Sequence, residues 1–171
     1  MSASDAIVAR PVTPENFSRY GKVYDLAGDT DRHVIWTRGD GWNDGFTRTP
    51  LIEGSGHLGI TRGGAAPWFC TAMERHPQTE EALFCAAEPI ILAVAPASDA
   101  DAPRHDEIEA FVIAPGQAVV MHRNVWHDAC RGLSRPAAYY WMAICGLGES
   151  PWWVPVEGGP RRVEAPEGAR A

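Results

Sequence analysis

The feature that most constrains this chain is its punctuation. Short apolar runs of strand length recur along it, cut at close intervals by Gly and Pro, of which the 171 residues contain 17 and 14. The runs cover 33–38, 57–62, 69–76, 82–87, 90–95, 108–114, 117–122 and 137–145. None is long enough to carry a sustained helical period, and the spacing of runs and turns is that of an all-β barrel or sandwich. One helical signal precedes them, in an N-terminal arm over 7–26. There Thr13 is placed to cap and Pro14 to occupy the first helical position. The segment 39–45, Gly-Asp-Gly-Trp-Asn-Asp-Gly, reads as a turn-rich loop.

The length suits one domain with a real core, expected over 1–156, and 45% of residues are hydrophobic, which excludes global disorder. Residues 157–171, rich in Gly, Pro and charge, are expected to be a loose C-terminal tail or a strap. A formal net charge of −7 argues against nucleic acid and anionic membranes as partners. No basic-plus-apolar leader and no membrane-length apolar run is visible, so a cytoplasmic setting is expected. Cys70, Cys85, Cys130 and Cys145 form no CxxC pair. Reduced thiols are therefore expected, not a disulfide framework or a zinc knuckle. A small barrel with exposed edge strands is expected to form a homodimer.

Two clusters carry chemistry. The first is Glu74-Arg-His76-Pro77, followed by Glu81; the second is His122-Arg-Asn-Val-Trp-His127. Carboxylates and imidazoles bind divalent metals and move protons. If 69–76 is one strand, Cys70, Ala72, Glu74 and His76 share a face, and Arg75 points away from it. Glu81 opens the next strand and can point back at the same spot. The competing reading is an exposed strand end with solvated charges. His122 and His127 can reach one pocket across the turn between them, with Trp126 as a wall; a backbone-bonded core histidine is the alternative for His122. Trp36, Trp68 and Trp141 are expected in the core or an interface, and Trp152-Trp153 over a barrel mouth or dimer surface.

The clusters resemble the two-part motif of the cupin superfamily. Glu74-x-His76-x4-Glu81 is similar to the first cupin motif, with Glu in place of its first His. Asn124 stands in the second motif where a Gly is usual. The resemblance narrows further. Met73-Glu-Arg-His-Pro77, Val94-Ala-Pro96, Ala114-Pro-Gly-Gln117 and His122-Arg-Asn-Val-Trp-His127 look like signatures of the ureidoglycolate lyase family, formerly called ureidoglycolate hydrolase. So does the opening Pro11-Val-Thr-Pro-Glu-Asn-Phe17 with Tyr20-Gly21. Two positions depart from that family's pattern: Glu81 replaces a usual Gln, and Asp128 a frequent His.

The resemblance implies a cupin-type double-stranded β-helix (jelly-roll) barrel with a short N-terminal helical arm. It implies an enzyme that splits ureidoglycolate, or a similar small hydroxy or amino acid, into glyoxylate and urea. Such carbon–nitrogen cleavage needs a base for the hydroxyl proton and an acid for the departing urea. A divalent metal (Zn, Mn, Ni or Fe) held by Glu74, His76, Glu81 and His127 would assist, and no organic cofactor is expected. Glu74, Glu81 and His122 are the catalytic candidates. Arg62, Arg123 and Trp126 are the substrate-binding candidates, an Arg being suited to a bidentate grip on a carboxylate. The alternatives are a different metal cupin enzyme (isomerase, hydratase or dioxygenase) and a non-catalytic ligand-binding cupin.

Overall fold

A computed structural model describes residues 6–147 and 153–169. Its centre is two facing sheets. The first runs Gly21–Asp25, Gln117–Met121, Glu81–Cys85, Ala137–Ala143, His57–Gly63, every neighbour antiparallel. The second runs Trp126–His127, Ile90–Ala95, Glu109–Ile113, Arg10–Pro11, with Arg131–Gly132 also on Ile90–Ala95. The two do not join into a closed cylinder. This is the jelly-roll arrangement of a cupin fold, as the sequence led us to expect.

Alternation of side chains explains the packing. Leu83, Val119 and Met121 from the first sheet meet Ile90, Leu92, Val94, Phe111 and Ile113 from the second. Phe17 and Tyr20 of the arm seal one end of this core, with Phe17 set edge-on to Phe111 at 5.3 Å between ring centres. The opposite faces are covered as well. Ile91, Ala93 and Ala95 pack on Cys70, Met73, Trp126 and Val163. The whole strand Ile90–Ala95 is thus buried, which is why it reads as an unbroken apolar run.

The helical arm forms as its residues dictate. Pro14–Phe17 is one short turn of helix; the Thr13 hydroxyl accepts from Asn16 N at 3.2 Å, and the Asn16 side chain accepts from Thr13 N at 2.9 Å.

Three expectations need correction. The run 69–76 is not one strand: Trp68–Cys70 pairs with Arg161–Glu164, whereas Ala72–Met73 pairs with Val154–Pro155, and the chain breaks between them. Cys70 and Met73 are both fully buried, so the parity assumed across Thr71 fails. The segment 39–45 is no loop: Val34–Gly39 and Trp42–Thr47 form a hairpin with its turn at Gly41, whose φ is +79°. Nor is 157–169 a loose tail. Arg161–Glu164 lies between Ala6–Val8 and Trp68–Cys70, and Val163 is wholly buried there. One apolar side chain at the right register outweighs the Gly, Pro and charge around it.

Candidate active site

Main-chain bonds between the two sequence clusters build the site. Glu74 N donates to His127 O and His127 N donates to Glu74 O, both at 2.9 Å. Asn124 N donates to His76 O at 3.0 Å. Asn124 takes a φ of +65°, the left-handed conformation that a glycine adopts freely and Asn tolerates. That conformation turns the chain from His122 back to His127.

Four side chains converge on this scaffold. Glu81 Oε2 lies 3.0 Å from His76 Nε2 and 3.0 Å from His127 Nε2. Glu74 Oε1 is 3.8 Å from His127 Nε2, and the two imidazole rings are 5.1 Å apart. Glu74, His76 and His127 each present a ligand atom within 4.8 Å of the others, a group that could hold a metal ion. Glu81 stands against both rings.

Burial governs the charges. It pushes the Glu74 carboxyl above its ordinary value of 4.5, and the neighbouring imidazoles only partly offset this. Burial acts the same way on Glu81, but the positive charge of His127 and the two imidazole contacts outweigh it and hold Glu81 down to about 2. For His127 burial alone lowers the affinity for a proton; the Glu81 charge reverses this and leaves it above 6.5.

The donor set fits a divalent cation. His127 Nδ1 lies 3.0 Å from Val125 O, a pure acceptor, so Nδ1 carries the hydrogen. In the neutral ring Nε2 then presents a lone pair toward the Glu81 carboxylate. Both His127 Nε2 and Glu81 Oε2 are buried, 3.0 Å apart, and Glu81 Oε2 is equally close to His76 Nε2. Two acceptors held this close require a cation, either a proton or a metal ion. Two imidazoles with carboxylate oxygens suit Zn, Mn, Ni or Fe.

The cluster opens into a cavity of about 590 Å³. Glu74 and His76 line it, and so do Glu81, Tyr139, Trp141 and Thr61, which share one face of the first sheet; Leu147 and Trp153 are exposed residues of its lining. Thr79 fixes the wall by accepting from Ile144 N at 3.1 Å.

Other candidates fall elsewhere. His122 is exposed and outside the cavity wall; its N donates to Tyr20 O at 2.8 Å. Arg123, also exposed, pairs with Glu53 at 2.9 Å. Arg62 is exposed on the strand face opposite Thr61. Trp126 is buried behind the site, where the Arg75 guanidinium lies 4.3 Å over its ring, so Arg75 does point away from Glu74 and His76. No Arg or Lys lines the cavity among the described residues. Thr61, Tyr139 and Trp141 escaped the sequence reading. Their signal was the alternation Tyr139-x-Trp141-x-Ala143, which marks one sheet face but not which one. Trp152 lies outside the described residues.

Comparison with known proteins places the chain in a family. The family model described as "Ureidoglycolate lyase" matches residues 4–149. A ureidoglycolate lyase of Mesorhizobium japonicum is 30% identical over 133 residues, covering 76% of this chain and 80% of its own. One of Rhodobacter capsulatus is 30% identical over 139 residues, covering 79% and 84%. The solved structure of dTDP-4-dehydrorhamnose 3,5-epimerase from Elizabethkingia anophelis aligns at a TM-score of 0.44 and 6% identity, over 72% of this chain and 75% of that one. On the family match and the two relatives, the chain belongs to the ureidoglycolate lyase family.

Proposed function

We propose that the enzyme cleaves the carbon–nitrogen bond of ureidoglycolate, giving glyoxylate and urea, with a divalent cation at the carboxylate–imidazole cluster. The observation that supports the cation is the convergence of Glu74, His76 and His127, whose ligand atoms lie within 4.8 Å of one another, with Glu81 Oε2 3.0 Å from both rings. Glu74, His76, Glu81 and His127 would hold it, Glu74 from the cavity side. When bound, such a cation supplies positive charge for the substrate carboxylate and lowers the pKa of the adjacent hydroxyl.

The chain's own groups do the rest. Ureidoglycolate carries hydroxyl, carboxylate and a urea nitrogen on one carbon. Glu74, facing the cavity with a raised carboxyl pKa, takes the hydroxyl proton. The oxygen's electron pair becomes the new carbonyl, and the carbon–nitrogen pair leaves on nitrogen. Glu74 returns the proton to that nitrogen, releasing neutral urea. Atoms balance without water, so the reaction is an elimination and not a hydrolysis. His122 has no part in this scheme, because it lies outside the cavity wall. Homodimerisation and a cytoplasmic setting belong to the same proposal.

The test is product analysis with each enantiomer of ureidoglycolate. One glyoxylate and one urea per turnover are expected from one enantiomer. Release of ammonia in place of urea, or no turnover of either enantiomer, would sink the reading. A second reading, another metal-dependent cupin reaction, is favoured by one residue. Glu81 offers a carboxylate where an amide would be a poorer ligand. Substrate-dependent oxygen consumption would select the oxygen-using form of it.

A further inference from the structure

We infer that Thr61, Tyr139 and Trp141 form a subsite for a planar, neutral ureido group, on the sheet face of the cavity that also carries Glu81 of the carboxylate–imidazole cluster. The inference deepens the lyase reading and rests on it for the identity of the ligand.

Register places the three side chains together. In the antiparallel pairing of Ala137–Ala143 with His57–Gly63, Tyr139 sits opposite Thr61 and Trp141 opposite Gly59. Residues two apart share a sheet face, so Thr61 and Gly59 lie beside Tyr139 and Trp141 on the cavity side. A Cβ at Gly59 would come within 2.1 Å of Trp141 Cε2 and Cζ2. The indole is therefore laid across the glycine backbone, a seat that no other residue leaves open. Its position is fixed by the strand beneath it and not by a mobile loop.

The hydroxyls supply the polar half. Tyr139 Oη accepts from Cys130 N at 3.3 Å, and Thr61 stands directly opposite Tyr139 in the strand pair. Burial keeps the phenol protonated well above its ordinary range. The pair carries two hydroxyl hydrogens, and each hydroxyl can donate to a ligand carbonyl. A ureido group matches this wall: its plane can lie on the indole while its carbonyl accepts from the hydroxyl pair. A carboxylate does not match, because the described cavity lining offers no Arg or Lys and the Glu81 charge is near Tyr139. The two ends of the substrate are thus sorted by chemistry, the charged end to the cluster and the neutral planar end to this wall.

The test compares two unreactive probes by calorimetry on the intact protein. N-carbamoylglycine carries both a ureido group and a carboxylate; glycolate carries the carboxylate and hydroxyl alone. Wild type should bind N-carbamoylglycine at least about tenfold more tightly than glycolate. Thr61→Val and Trp141→Leu should each remove most of that preference and leave glycolate binding unchanged. Trp141→Phe, which keeps an aromatic plane, should retain most of it, and this variant serves if Trp141→Leu fails to fold. No preference in wild type, or equal weakening of both probes in the variants, would overturn the subsite. Turnover of ureidoglycolate by wild type is read separately. Its absence with the probe preference intact would overturn the reaction and leave the subsite standing.

Discussion

Glu81 Oε2 and His127 Nε2 lie 3.0 Å apart, both buried, so that a proton or a metal ion must stand between them. The proposed function takes the metal ion. Purified protein is therefore expected to contain about one transition metal per chain, and Glu81→Gln to lose it. Mass spectrometry of metal content in both proteins checks this. In the metal-free state the same substitution breaks a buried ion pair and should cost roughly 3–5 kcal/mol of stability. No metal in either protein would remove the cation from the proposed mechanism and leave acid–base chemistry alone.

The pair also sets how the metal-free fold responds to pH. Glu81 is held down from 4.5 to about 2, so its contribution to stability is present above 4.5 and drains away as pH falls toward 2. His127 is raised above 6.5, so its contribution is full below 6.5 and is lost as pH climbs through the raised value. Chelator-treated protein should be most resistant to urea between those limits. Glu81→Gln should flatten the acid side of the profile; an unchanged acid side would assign the loss to other carboxylates.

Asn124 is predicted to tolerate Gly and to reject Val. At a φ of +65° a β-branched residue is strained, and Asn124→Val should lose about 1–2 kcal/mol in urea unfolding, while Asn124→Gly stays close to wild type. Equal losses for both would point to the Asn side chain and not to the backbone.

Val163 is expected to hold the C-terminal strand in place. Its side chain is fully buried between Ala6–Val8 and Trp68–Cys70, so Val163→Ala should cost about 2 kcal/mol. A chain ending before Arg161 should lose more. A truncated protein as stable as wild type would show that this strand contributes nothing.

Thiol labelling offers a quick test of the cavity. Cys145 is exposed and lines it, whereas Cys70 and Cys130 are buried and burial pushes the Cys85 thiol up to about 11. Cys145 should react first with a maleimide, and the modified enzyme should lose substrate turnover. Labelling of all four at one rate would contradict the burial pattern.

Much of the architecture was readable because strands announce themselves by alternation and turns by Gly and Pro. Glu74, His76, Glu81 and His127 were readable because ligand types at close spacing are rare by chance. Partner choice was not readable. Nothing local to Thr71 says that the strand pieces before and after it pair with different neighbours. Tyr139 and Thr61 meet only through a register set across two strands. His122 shares the residue type and the turn of His127, yet it is exposed outside the described cavity lining while His127 is buried against Glu81. Arg62 and Arg123 also lie outside that lining, which residue type alone does not reveal.

The reciprocal main-chain bonds between Glu74 and His127, with the one from Asn124 to His76, involve no side-chain atom. The frame itself does not depend on which side chains it carries. A lineage can exchange an imidazole for a carboxylate at 74, 76 or 127 without breaking these main-chain bonds. The two clusters thus act as a socket whose occupants can be replaced singly, which opens new substrates to the fold one substitution at a time.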